Sequence, residues 1–184
     1  TAVGYAALDA NTTASNNTAI GDNALGANTT GANNTALGAA AGAANVDDTE
    51  NVAIGYAANH PDGGSYVTAV GSQSLNANTA DSNSGIGYLA LTANTTGTAN
   101  TAVGRSSMAA NTTASYGTAV GMTALANNTT GASNTAVGYY ALVTNTTGAN
   151  NNALGANSLD ANTTGSHNVA VGRNALGENT TASE

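Results

Sequence analysis

The sequence predicts an all-β fold, a parallel β-solenoid (β-roll) of eleven coils of about 17 residues each. Three observations predict it. Gly4, Gly21, Gly38, Gly55, Gly71, Gly87, Gly104, Gly121, Gly138, Gly155 and Gly172 recur at intervals of 17, 17, 17, 16, 16 and then 17 five times. The residue before each of these glycines is aliphatic. Each interval also holds β-branched residues and, in most, an Asn-Thr-Thr-Gly-like stretch, all poor material for a helix.

Counted from three residues before each glycine, the coils of this single repeat domain (1–184) begin at residues 1, 18, 35, 52, 68, 84, 101, 118, 135, 152 and 169, and coils over 35–67 are irregular. Positions 1–3 read as a short strand. The glycine reads as a bend that needs positive φ or close backbone approach. Positions 5–9 read as a second short strand, and the Asn-Thr-Thr-Gly stretch as a turn. The position-3 row is expected to face inward as core: Val3, Ile20, Leu37, Ile54, Val70, Ile86, Val103, Val120, Val137, Leu154 and Val171. Position 8 is expected to join it through Leu8, Leu25, Leu75, Leu91, Met108, Leu125, Leu142, Leu159 and Leu176, with Gly42 and Asn59 as the exceptions. Position 2, alanine except at Gly85, would then point outward, where small side chains let another chain come close. Coils stacked ~4.8 Å apart make a rod ~50 Å long. On this reading Val120→Asp buries an unpaired charge and disrupts the stack.

Composition narrows the function. Ten acidic residues face only Arg105 and Arg173, a formal charge of −8. That excludes nucleic acid as a partner, which is bound through rows of Lys and Arg, and argues against anionic lipid. No apolar run approaches the ~20 residues of a membrane helix, so no membrane insertion is expected. No signal peptide is present. The chain opens mid-pattern at Thr1, which leaves room for flanking segments, an export signal among them, outside it. The absence of cysteine excludes disulfides and thiolate metal sites.

The unit Asn-Thr-Ala-Val-Gly-Tyr at 134–139, followed by Ala-Leu and Asn-Thr-Thr-Gly, resembles the head repeats of trimeric autotransporter adhesins and related repeats of phage tail fibres. The resemblance runs through the whole chain, for example at Thr18–Gly21, Val52–Gly55 and Thr101–Gly104. It implies a left-handed parallel β-roll, a homotrimer, and an extracellular or cell- or virion-surface location. This chain departs from the pattern in period: its unit is longer, mostly in the Asn-Thr-Thr-Gly region.

Candidate chemistry lies in rows and in breaks of rows. Asn11, Asn28, Asn94, Asn111, Asn128, Asn145, Asn162 and Asn179 each open an Asn-Thr-Thr sequence, which fits both an asparagine ladder at a solenoid corner and an N-glycan acceptor. An Asn buried in a ladder cannot carry a glycan, so the two readings exclude each other at any one residue. Asp47, Asp48, Glu50 and Asp62 gather where the pattern breaks and offer hard oxygen ligands for Ca²⁺, the one cofactor considered; otherwise none is expected. Tyr5, Tyr56, Tyr88 and Tyr139 share position 5 without forming a continuous platform. His60 and His167 fall at unrelated positions, so no nucleophile–base pair follows, and an enzyme is not expected.

The expected function is an extracellular structural or adhesive fibre segment, with itself as partner and surface glycans or host-surface receptors as further ones. Placing Glu184 before Thr1 gives a 16-residue interval between Gly172 and Gly4. Two readings of the ends stay open, an excerpt of a longer repeat region and an end-to-end polymerising, glycosylated filament subunit. Ice binding is a further alternative. The doubled threonines weigh against it, because adjacent residues of a strand point to opposite faces.

Overall fold

The computed structural model describes residues 1–183; Glu184, invoked in joining the ends, lies outside them. Eleven short strands form one sheet in sequence order, each parallel to its neighbours. We number them β1 (Ala2–Val3), β2 (Thr18–Ile20), β3 (Thr35–Leu37), β4 (Val52–Ile54), β5 (Thr68–Val70), β6 (Ser84–Ile86), β7 (Thr101–Val103), β8 (Thr118–Val120), β9 (Thr135–Val137), β10 (Asn152–Leu154) and β11 (Val169–Val171). Register follows the repeat without slippage, as in Ala102↔Ala119 and Val103↔Val120 between β7 and β8. The fold is therefore a β-solenoid, one strand to a coil.

Positions 5–9 do not form the expected second strand. They make a tight turn in which positions 6 and 8 both take the left-handed conformation, as at Thr123 (φ 55) and Leu125 (φ 54). A left-handed non-glycine residue costs on the order of 1–3 kcal/mol. The stack offsets that strain, because these turns still hydrogen-bond coil to coil: Leu125 N–H donates to Ala141 O at 2.9 Å, and Thr123 N–H to Arg105 O at 2.9 Å. Position 16 is left-handed as well, and Tyr116 N–H donates back to Thr98 O at 3.0 Å.

The bend glycine is fixed twice over. Gly138 has φ 139, and an added Cβ would lie 2.5 Å from the carbonyl oxygen of Gly155 in the next coil. No side chain fits between two coils that approach so closely at this corner.

The core runs inside the stack; the position-8 row lies in it as expected, whereas the two strand rows are exchanged. Alanines at position 2 (Ala19, Ala36, Ala102, Ala119, Ala136, Ala153) are buried with position 7 (Ala24, Ala90, Ala124, Ala141) and the leucines of position 8 (Leu25, Leu75, Leu91, Leu125, Leu142, Leu159). The position-3 row points the other way: Ile20 is 40%, Val120 37% and Leu154 52% exposed, with Val3, Leu37, Ile86 and Val171 also exposed and Ile54, Val70, Val103 and Val137 half-buried. Both expectations for this strand are thus corrected. Position 3 is not core, and the alanine row is not an outer surface. The reason is space: opposite the strand stands the position-8 leucine, which leaves room for a methyl group only. Even that is too much at Gly85, where an added Cβ would lie 2.6 Å from Ser74 Oγ and 3.2 Å from Leu75 Cδ1.

The 16-residue coils lose their residue in the turn after position 11. Gly64 there takes φ 79 and its N–H donates to the Asp48 carboxylate at 2.8 Å. The strands on either side keep register, Val52↔Thr68 and Thr68↔Ser84.

Candidate functional site

Three surfaces follow from this geometry: an asparagine-lined corner, the outer face of the sheet, and the irregular turn of coils 3 and 4.

At the corner, Asn94 Nδ2 donates to Asn78 Oδ1 at 2.7 Å, Asn111 to Asn94 at 2.7 Å, Asn128 to Asn111 at 3.1 Å, Asn145 to Asn128 at 2.8 Å, and Asn162 to Asn145 at 2.9 Å. Each also donates to the carbonyl three residues on, as Asn145 does to Gly148 O at 2.9 Å. This is the ladder, and it decides between the two expectations at its members. Asn28, Asn94, Asn111, Asn128, Asn145 and Asn162 are fully buried, so none of them is a glycan acceptor in the folded chain. Of the eight candidates Asn11 is exposed and Asn179 half-buried.

A second ladder, at position 17, was not anticipated. Asn100 Oδ1 accepts the N–H of Gly117 at 2.8 Å, and its Nδ2 donates to Ala114 O at 2.9 Å. Asn17, Asn34, Asn51, Asn134, Asn151 and Asn168 occupy the same position, Asn83 closes a 16-residue coil in the equivalent place, and all are buried. The signal was present in the sequence: an asparagine stands immediately before most of the strands.

The doubled threonines divide as expected between two sides. Thr112 Oγ1 donates to Thr129 O at 3.1 Å and so belongs to the stack, whereas its neighbour Thr113 is exposed. They form no paired rank.

The outer sheet face carries positions 1 and 3, and across eleven strands no charged residue occurs at either. A threonine-rich rank thus runs beside an aliphatic one. No cavity opens in the body of the described chain.

In the irregular turn, carboxylate oxygens of Asp47, Asp48 and Asp62 lie within 4.8 Å of one another; Glu50 is not part of this group. Partial burial first, and then the Asp62 charge, raises the Asp48 carboxyl above its ordinary range, while the Gly64 N–H works against them. Asp62 also accepts the N–H of Val46 at 3.0 Å. The turn's own hydrogen bonds thus engage two of the three acids. Tyr139 packs on Tyr140, ring centroids 4.3 Å apart at 44°. Desolvation, and then Tyr140, raises the Tyr139 phenol above its ordinary value. The histidines His60 and His167 belong to different coils, as the spacing requires.

Fold and surfaces together define a β-solenoid repeat protein whose exposed features are rows rather than a cleft. No family model matches the chain, nor does any curated protein or solved structure.

Proposed function

We propose that this chain is a length of extracellular fibre, a protein that spans distance and presents surface, assembled side by side with copies of itself through the outer sheet face. One observation carries the reading: a continuous aliphatic row with uncharged neighbours runs along the whole stack on its outer face, each member exposed or half-buried. An apolar strip of that length is costly to leave in water. The face measures ~50 Å along the stack and ~10 Å across the three-residue strands, a flat area of ~500 Å² on each rod, and three rods closing on one another would bury such a face from each. Three rods closing this face on one another is the arrangement that the repeat's resemblance to trimeric adhesin heads implies. The same resemblance supports a surface location.

The test is mass. Light scattering or sedimentation of the purified chain is expected to give three chains per particle. A monomeric rod at micromolar concentration overturns the reading.

A further inference from the structure

The residues just past the glycine bend form a row of their own at position 5, and its charge is opposite to that of the molecule. Both cations of the chain, Arg105 and Arg173, stand in it. Among the described residues every acid except Asp22 falls instead at positions 9 to 16, on the turn side. From coil 6 to coil 9 the row reads Tyr88, Arg105, Met122, Tyr139, four consecutive coils with no small or acidic residue among them. All four side chains are exposed. Backbone bonds hold them in register: Ser106 N–H donates to Tyr88 O at 2.9 Å, Thr123 N–H to Arg105 O at 2.9 Å, and Tyr140 N–H to Met122 O at 3.2 Å. Their spacing is therefore the coil rise, ~4.8 Å, and Tyr88 and Tyr139 stand ~14 Å apart.

We propose that this row binds an acidic saccharide laid along the rod, with sugar rings on Tyr88 and Tyr139 and a sugar carboxylate on Arg105. The coil rise is close to the advance of one sugar ring in an extended chain, so successive rings meet successive side chains. Tyrosine offers the apolar faces of a sugar a flat surface and a hydroxyl at its edge. Arginine is the side chain suited to a carboxylate, through a forked pair of charge-assisted hydrogen bonds. The acids that would repel such a ligand stand at other positions, except Asp22, which shares the row five coils from Arg105. The proposal goes beyond the fibre reading and holds whether or not rods associate, since the row lies past the bend from the sheet face.

Calorimetric titration of the intact chain at low ionic strength, with hexagalacturonic acid and with neutral cellohexaose, tests it. Hexagalacturonic acid is expected to bind and cellohexaose to bind at least about tenfold more weakly. Arg105→Gln should weaken the acidic ligand about tenfold and leave the neutral one unchanged, while Tyr88→Ala should weaken both. Absence of binding, or binding indifferent to Arg105→Gln, overturns the proposal. So does a change of sedimentation mass in these variants with unchanged titration, which would assign the row to contact between copies. The titration and the mass measurement fail independently, so loss of the saccharide site leaves the fibre reading standing.

Discussion

Asn111 shows how much of the stack rests on single amides. Its Nδ2 donates to Asn94 Oδ1 at 2.7 Å and to Ala114 O at 3.1 Å, and its Oδ1 accepts from Asn128 at 3.1 Å. Asn111→Ala removes all three bonds inside a site closed to water. It is expected to cost about 1–3 kcal/mol, because the orphaned partners keep their desolvation penalty. Asn127→Ala, one residue before the next rung and exposed, should lie within about 0.5 kcal/mol of the parent. Thermal melts of the two variants check this; equal Tm values would remove the ladder from the account of stability. Asp48 adds a pH dependence of its own. Its folded pKa is raised above the reference 3.8, so the fold carries the cost of its charge once pH rises through the folded value, and that cost vanishes below 3.8. For this group stability is fully present at acid pH and declines toward neutrality. Asp48→Asn keeps an oxygen for Gly64 N–H and removes the charge, so it should raise Tm at neutral pH and leave it unchanged near pH 3. A variant less stable at neutral pH would contradict the assignment.

At the scale of the coil, the fourth is the weakest. Its position-8 residue is Asn59, which is buried, holds φ 44 and finds no partner for either amide atom, while the coil before it has only Gly42 at that position. Leu25 and Leu75 on either side show what the slot accepts, with φ 48 and 52. Asn59→Leu therefore needs no change of backbone. It should add about 1–3 kcal/mol by replacing an unsatisfied amide with buried hydrocarbon, read as a Tm several degrees higher. A lower Tm would mean that the shortened turn at Gly63 and Gly64 has already closed the space. The coil also marks what the sequence made legible. Strand positions, bends and the first ladder were readable because a fixed period puts like residues in one row, and stacking turns a row into a structure. Which side of the strand faces inward was not readable. Alternation gives two faces without a sign, and a row of valines beside a row of alanines suggests the larger one inside. The left-handed leucines were unreadable too, since leucine on its own disfavours that region and only the inter-coil bonds make it worthwhile. The Asn100 row is legible by the same rule, since an asparagine stands before most of the strands.

For the whole molecule, the reversal of the strand changes what a single charge does. Coils of a solenoid touch only their neighbours, so stability is close to a sum of coil and interface terms, and an exposed position contributes little to either. Val120 is 37% exposed and lies on the uncharged face midway along the stack. Val120→Asp therefore leaves the isolated rod's own bonds intact, including Gly121 N–H to Val103 O at 2.8 Å. In a closed assembly the same carboxylate meets its own copies in a dry contact, where like charges cost several kcal/mol. The variant is expected to lose the assembly: the mass falls to one chain, while circular dichroism keeps its β signature. Melting should become independent of protein concentration, because no association remains to stabilise the fold by mass action. A variant that remains assembled would take the aliphatic row out of the interface. A variant that unfolds outright at every concentration would instead return that row to the core.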